Sequence, residues 1–511
     1  MKYLLDSAAM KKIDEYSIKT TGIPSVVLME RAALSVSSFV EKLAYNKKDS
    51  EKKDISICVV CTKGNNGADG LAAIRQLYLH GYKTLVYEAG RKELGTDEYE
   101  LQKNIIKNLE IPFECAVQDN ILPLDEYDFI IDAMFGIGLS RDVTGVYAQL
   151  IDEINRVSAV KVAVDIPSGL SAGIVQVSNK KVKADYTVTF GYNKTGIMFY
   201  PGASYSGIVE VINAGFVTDD ILHRKVEGFG SIFTFDDKDV GRLLVRKPDS
   251  NKGTYGRTLI IAGSKNMGGA AILSASAAYR SGTGLVKVLT HEINKTALLC
   301  RMPECLISTY LDDMPLAAEL KADFEWAKSI AVGPGLSMNG VAAEITRCVL
   351  EREDKVRILD ADALNIIAAE HIDYKGSNEG RIIITPHIME MSRLTGKTTA
   401  DIKEHMIETA KEYAIQHSCI CILKDARTVV TDGQKVYINC TGNDGMSTGG
   451  CGDVLTGLIA GMTAMGLDAF DAACLSVYVH GKAGDYVAAG KGRAGMTAAD
   501  ISEAIAYVMK R

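Results

Sequence analysis

Asp453 closes the strongest chemical signal in the chain: Gly442-Asn443-Asp444-Gly445-Met446-Ser447-Thr448-Gly449-Gly450-Cys451-Gly452-Asp453, running into Val454-Leu455-Thr456-Gly457-Leu458-Ile459-Ala460. Successive glycines leave backbone N–H groups open just ahead of an apolar helix, where the helix dipole favours negative charge. The stretch therefore reads as an anion cradle for a transferring phosphoryl group. A carboxylate at a helix start is by itself an ordinary N-cap. A cap has no use for five preceding glycines, so Asp453 is read as a general base that takes the proton of a substrate hydroxyl while the loop holds phosphate. No Gly-Lys-Ser/Thr follows, which separates the loop from a Walker A motif.

Other polar clusters sit where apolar runs end. Lys424-Asp425-Ala426-Arg427-Thr428 follows Cys419–Leu423 and offers Lys424 and Thr428 to nucleotide phosphate. Gly333-Pro334-Gly335, the pair Asp360/Asp362 and Thr385-Pro386-His387 supply tight backbone and polar groups; His387 suits a substrate contact or a loop hydrogen bond equally, and the aspartates a site or a turn. In the first half, Gly64-Asn65-Asn66-Gly67-Ala68-Asp69-Gly70 follows a strand and opens a helix. Its G-x-x-G-x-x-G spacing is not the dinucleotide fingerprint G-x-G-x-x-G, but Asn65, Asn66 and Asp69 are polar groups a plain turn does not need. Asp132 leads into Gly136-Ile137-Gly138-Leu139-Ser140-Arg141, and Asp165 into Pro167-Ser168-Gly169. A lone aspartate at a strand end is most often a turn former; three such loops shift the balance toward a site.

The elements that must position these loops are Val- and Ile-rich runs alternating with helical segments. They include Ile55–Cys61, Phe129–Met134, Lys161–Ile166, Tyr186–Phe190, Arg257–Ala262, Ser329–Val332, Val356–Leu359, Arg381–Thr385 and Cys419–Leu423. This is the α/β pattern, with parallel strands buried on both faces and ligands beyond their carboxyl ends. The pattern lapses between Gly215 and Val240, which divides the chain into 1–222 and 223–511, each large enough for its own core. No internal repeat is evident, and Asn46–Asp54 reads as a solvated loop.

Composition narrows the partners. Lys and Arg number 57 against 64 Asp and Glu, a net charge of -7, so neither nucleic acid nor an anionic membrane is expected to bind. Eleven cysteines, an odd number lying mostly in apolar segments, fit reduced thiols in the cytoplasm. Cys58 and Cys61 form a C-x-x-C, but three residues apart on a strand they face opposite sides. No His/Cys cluster has zinc spacing, no apolar run is long enough to span a membrane, and the N-terminus lacks a signal-peptide pattern.

Together with Phe190-Gly191 and Tyr200-Pro201-Gly202, the loops of the first half resemble the epimerase domain for hydrated NAD(P)H, over nearly all of residues 1–215. The resemblance implies a Rossmann-like three-layer domain that interconverts the R and S forms of NADHX and NADPHX, the products of water addition to the reduced nicotinamide ring. It implies K+ ligands at Asn66, Asp132 and Ser168 and substrate positions at Asn65, Asn66, Gly67, Ala68 and Asp69. Further substrate positions fall at Gly136, Ile137, Gly138, Leu139, Ser140, Arg141 and Asp142, with Asp165 as the acid/base candidate. Ala68 stands where the family usually has glycine.

With Lys252-Gly253-Thr254-Tyr255-Gly256, Ile261-Ala262-Gly263-Ser264 and Gly268-Gly269-Ala270, residues 240–511 resemble the ADP-dependent NAD(P)H-hydrate dehydratase of the ribokinase-like superfamily. Implied here are ADP or ATP as phosphoryl donor, Mg2+, and a phosphorylated hydrate that expels phosphate. Ala270, Gly335, His387 and Asp453 match substrate positions, and Lys424, Asp425, Ala426, Arg427, Thr428 and Gly452 match nucleotide positions. Asp425 and Arg427 depart from the usual small-residue lysine loop, and Ile388-Met389 from the usual Pro-Gly. The expectation is a bifunctional repair enzyme, forming a homo-oligomer by superfamily resemblance. The rival reading is a small-molecule kinase fused to a non-catalytic scaffold domain.

Overall fold

The computed structural model describes residues 1–45, 51–90, 94–244, 246–312, 317–376 and 382–510. The chain forms two compact units: Tyr3–Gly230, and Ser231–Arg511 together with Met1–Lys2. The division falls within the Gly215–Val240 stretch but eight residues beyond the expected 222. The helix Asp219–Lys225 belongs to the first unit, because Leu222, Val226 and Phe229 pack with Leu5, Met10 and Ile13. No helix among the described residues is long and apolar enough to cross a membrane. Of the expected loop Asn46–Asp54, residues 46–50 lie outside the described residues, and Lys52–Asp54 forms an exposed 3-10 turn. Arg381 of the expected strand Arg381–Thr385 also lies outside them.

The first unit is built on seven parallel strands in the spatial order Phe113–Cys115, Lys83–Glu88, Ser56–Cys61, Phe129–Ala133, Val160–Val164, Tyr186–Phe190, Ile208–Ile212. Alternate residues of Ser56–Cys61 feed two cores. Ile57, Val59 and Cys61 pack with the helices Ser25–Tyr45 and Asn65–Leu79, whereas Cys58 and Val60 pack with Val146–Arg156. This is the three-layer arrangement, and it puts the two C-x-x-C sulfurs on opposite faces. Burial pushes both thiols up, Cys61 to about 12, so neither is poised to react. Strand order reverses between Ser56–Cys61 and Phe129–Ala133, where a doubly wound sheet opens a crevice for ligands.

In the second unit seven parallel strands run Leu306–Tyr310, Leu285–His291, Arg257–Ile261, Ser329–Val332, Val356–Leu359, Ile382–Ile384, Ile420–Leu423. Val429–Thr431 and Val436–Ile438 extend the sheet antiparallel, and Ile232–Thr234 joins parallel to the last of these. Taken in chain order, the seven parallel strands of each unit follow the same spatial sequence, 3-2-1-4-5-6-7, a likeness that no sequence repeat announces.

The helix Cys451–Ala464 lies tight against Gly268–Arg280, and this contact holds the glycine cradle in place. Small residues make it possible: a Cβ at Gly457 would stand 1.9 Å from the Ser274 carbonyl oxygen, and one at Gly461 2.0 Å from Ser281 Oγ. Gly457→Ala should force the helices apart at a cost of about 1–3 kcal/mol, read as a lowered urea midpoint. An unchanged midpoint would show that the helices accommodate the methyl.

Candidate active sites

Beyond the strand ends of the first unit lies a cleft of about 770 Å³. Asn65, Asn66 and Asp69 reach it from the first turns of the helix Asn65–Leu79, and Gly136 through Arg141 form a second wall. Asp165 enters from the end of Val160–Val164 with φ +65°, a conformation aspartate tolerates better than most residues. Its Oδ1 accepts from Lys194 Nζ at 2.6 Å and from Thr189 Oγ1 at 3.1 Å. Lys194 is almost wholly buried, and its ammonium also donates to Thr189 Oγ1 and the Phe190 carbonyl.

Two more carboxyl groups face this pair. Burial, followed by the charges of Asp165, Asp14 and Glu98, holds Asp69 well above the usual carboxylate range. Asp14, from the helix Ser7–Glu15, is raised to about 6 by burial and by Asp165, against the lowering effect of Lys194. Neither Asp14 nor Lys194 stood out in the sequence. Asp14 lies on an amphipathic helix far from any glycine loop, and Lys194 carries no signal beyond following Phe190-Gly191.

Asp132 and Ser168 sit behind the cleft wall, fully buried and bonded to each other. Ser168 Oγ donates to Asp132 Oδ1 at 2.5 Å and Ser168 N to Oδ2 at 2.7 Å. Burial raises Asp132 to about 6 against these hydrogen bonds. The loop Phe135-Gly136 touches both this pair and Asn66: Phe135 N donates to Ser168 Oγ, and a Cβ on Gly136 would lie 3.4 Å from Asn66. Asn66 Nδ2 is buried without a partner among the described residues.

Three expected substrate positions do not line the cleft. Gly67 is pressed against the Thr62 carbonyl, where a Cβ would stand 1.7 Å away, and Ala68 is fully buried in the helix with an ordinary φ. The methyl that departs from the family's glycine therefore meets the core and not a ligand. Asp142 turns into its own loop, accepting from Val143 N, Ser178 Oγ and Asn179 N.

In the second unit, Gly450 caps the helix Cys451–Ala464 with φ +93°, so the first-turn N–H groups point out of the helix beside Asp453. A Cβ on Gly452 would come 3.5 Å from Lys424 Nζ and 3.9 Å from Asp360 Oδ2, which places the lysine and the aspartate directly against the cradle. Lys424 Nζ donates to Asp360 Oδ1 at 3.0 Å, and Thr456 Oγ1 to Oδ2 at 2.6 Å. Burial works against the Asp360 carboxylate, but Lys424 and the hydroxyls of Thr456 and Thr385 outweigh it and hold it below its usual range. Asp453 is raised to about 7, by burial first and then by the negative charge of Asp360, with Lys424 opposing. Thr456, one helical turn after Asp453, is the contributor that motif reading missed.

His387 makes the loop contact. Its Nδ1 accepts from Met389 N and Glu390 N, and Glu390 returns a carboxylate to His387 N, a complete capping box. Burial and then Lys424 lower its pKa, which suits an imidazole nitrogen acting as acceptor. His387 also bridges to Lys424 across the strand ends. Asp362 likewise ties a loop, accepting from Ser337 N at 2.8 Å. Ala270 and Gly335 lie together, a Cβ on Gly335 falling 2.9 Å from that of Ala270. Asp425 and Ala426 are exposed at a hairpin tip, closed by Thr428 Oγ1 donating to the Asp425 carbonyl; Arg427 follows them, partly buried.

Two doubly wound units, one with a carboxylate-lined cleft suited to acid–base chemistry and one with a carboxylate at a glycine-cradled helix start suited to phosphoryl transfer, define an α/β enzyme with two candidate sites. Family profiles agree with this division: residues 25–196 match the YjeF-related protein N-terminus, and residues 258–507 match NAD(P)H-hydrate dehydratase. The bifunctional NAD(P)H-hydrate repair enzyme of Moorella thermoacetica is 35% identical, over 99% of this chain and 97% of its own. That of Coxiella burnetii is 32% identical over 98% of both. A ribokinase-like superfamily protein from Enterococcus faecalis V583 superposes with a TM-score of 0.51 at 27% identity, over 55% of this chain and 96% of its own. The chain belongs to the family of bifunctional NAD(P)H-hydrate repair enzymes.

Removing the Lys424 charge should expose what the pair does. Lys424→Met leaves Asp360 buried without its cation, at an expected cost of about 3 kcal/mol in urea unfolding at pH 7. Because Asp360 titrates below its ordinary value, the pair's contribution is present above that value and is lost as pH falls through the lowered one. The gap between the two proteins should therefore close in acid.

Proposed function

We propose that the second unit dehydrates the S form of NADHX and NADPHX with ADP or ATP as phosphoryl donor, and that the first unit interconverts the R and S forms. The observation that carries the reading is Asp453, held near neutrality beside the Lys424–Asp360 pair at the mouth of a glycine cradle. In its ionised form Asp453 takes the proton from the hydrate hydroxyl, and that oxygen attacks the terminal phosphoryl group of the nucleotide. The helix N-terminus, with Gly452, steadies the charge that develops on the phosphoryl oxygens. Lys424 through Thr428 flank the nucleotide, and Ala270, Gly335 and His387 the nicotinamide side. Phosphate then leaves with its electron pair, a far better departure than hydroxide, and loss of a ring proton restores the double bond. Mg2+ would enter with the nucleotide, whose phosphate oxygens are its usual ligands, and would shield their charge.

The first unit supplies the stereoisomer that the second does not use. Asp165, paired with Lys194, is its acid/base group, and Asn65, Asn66, Asp69 and Gly136 through Arg141 hold the substrate. K+ suits the oxygen donors of Asn66, Asp132 and Ser168: a buried carboxylate without a cation, a hydroxyl and a carboxamide oxygen suit a hard monovalent ion. When bound it would supply the positive charge that Asp132 lacks. All eleven cysteines are free thiols, which supports a reducing compartment such as the cytoplasm. Exposed Ile208 and Val211 on the edge strand Ile208–Ile212 support association into a homo-oligomer.

With mixed NADHX epimers, ADP and Mg2+, reduced-nicotinamide absorbance should return in full and inorganic phosphate should accumulate. Recovery of one epimer alone would remove the first activity, and a stable phosphorylated product would indicate a kinase. Asp453→Asn should lower kcat by about 10²–10⁴-fold. Since Asp453 must be ionised to act and is raised to about 7, kcat/KM should climb through pH 7 to a plateau above it. A flat profile would assign the proton transfer elsewhere.

K+ should register in stability. Asp132 is raised to about 6, so burying it costs stability that builds as pH rises from its ordinary value to about 6 and reaches about 3 kcal/mol above that. KCl should therefore raise Tm over choline chloride at equal ionic strength, more at pH 8 than at pH 5. Asp132→Asn should abolish the difference.

A further inference from the structure

The cleft of the first unit holds more carboxyl groups than its reading has used. Asp14, Asp69, Glu98 and Asp165 all line it, and its most buried cation is Lys194. Lys194 is spent: its ammonium donates to Asp165, Thr189 and Phe190. Lys11 and Arg141 are the other cations on the lining, both at exposed positions. Asp14 stands apart from the glycine loops, on the helix Ser7–Glu15, ahead of the residues 25–196 that match the family profile. Among the described residues its carboxyl group makes no hydrogen bond, so it faces the cleft uncommitted.

We propose that Asp14 is a further catalytic residue of this cleft: the acid that protonates the departing hydroxyl of the hydrated ring, while Asp165 takes the proton of the water that adds on the other face. The proposal rests on the epimerase reading. The hydroxyl-bearing carbon lies next to the ring nitrogen, so the exchange balances without any other reactant. Asp14 gives its proton to the hydroxyl, the C–O bond breaks to release water, and the nitrogen lone pair forms a C=N+ bond. Water then adds to the opposite face, the electron pair returns to nitrogen, and Asp165 accepts the proton. One proton has passed from Asp14 to Asp165, and transfer through water in the open cleft restores it.

The electrostatics divide the roles in the same way. Asp165 is committed to an ion pair, the arrangement of a base. Asp69, held well above the carboxylate range chiefly by burial, suits a hydrogen bond to substrate. Asp14, raised to about 6 by burial and Asp165 against Lys194, is matched to proton exchange near neutrality.

The test uses the full chain without nucleotide, following R-to-S exchange of NADHX by chromatography across pH. Asp14→Asn should cut kcat about 10²-fold with KM within twofold, and should abolish the decline in kcat/KM that the parent shows above about pH 6. Asp14→Glu should recover part of the rate. Dehydration of the S form with ADP, measured on the same preparations, should be unchanged, and each variant should match the parent in far-UV circular dichroism and unfold at the parent's urea midpoint, which establishes that the first unit is folded as well. An Asp14→Asn protein that keeps the parent's rate overturns the proposal, as does one that is slowed but keeps the parent's pH profile. A parent that does not exchange the epimers at all overturns the epimerase reading, and the proposal with it.

Discussion

Lys424 meets Asp360 at 3.0 Å and Lys194 meets Asp165 at 2.6 Å, and each contact sets the charge of its surroundings. Both lie at the carboxyl ends of parallel strands, where the low dielectric of a packed sheet makes uncompensated charge expensive. In each place one ammonium stands against two or more carboxyl groups. The aspartate in contact is held as the partner of the cation, and the next one out is raised chiefly by burial: Asp453 to about 7, with Asp360 adding and Lys424 opposing, and Asp14 to about 6, with Lys194 opposing and Asp165 adding. Buried ion pairs add little to net stability, but together with burial they tune which neighbouring group can exchange a proton at ordinary pH.

Backbone geometry puts the carboxyl groups where this can happen. Asp165 at φ +65° and Ala361 at φ +50°, beside Asp360, occupy the left-handed region that costs an ordinary residue about 1–2 kcal/mol. Such strain persists only where the surroundings hold it, and here the strand ends on either side do so. At Gly450 the same region is reached without a side chain, and a Cβ there would strike Leu273 and Ala498. The small residues beneath, Gly457 and Gly461, bring the cradle's helix down onto its neighbour.

How much was legible can be judged residue by residue. Asp453, Lys424 and Gly452 announce themselves through glycine spacing and strand-end placement, and the structure brings them together. His387 had two equal readings; the capping box with Glu390 makes the loop contact through Nδ1, and the half-exposed ring stays open to a ligand. Asp142 and Ala68 fall inside motifs whose neighbours line the cleft, yet one ties a loop and the other fills the core. Motif membership does not tell which way a side chain points. The boundary moved from 222 to 230 because Leu222, Val226 and Phe229 pack with the N-terminal segment, a partnership invisible to local composition.

The order of apolar runs, the glycine loops and the polar residues beside them determined that the chain holds two α/β units with ligand loops at strand ends. These are short-range properties, carried by residues adjacent in the chain. Tertiary structure alone decided which charges meet: Asp360 and Lys424 are 64 positions apart, Asp165 and Lys194 29 apart. Proton affinity depends on distance and burial in space. Asp14 could therefore join Asp69 and Asp165 in one cleft only once the strands had closed and the N-terminal helix had docked.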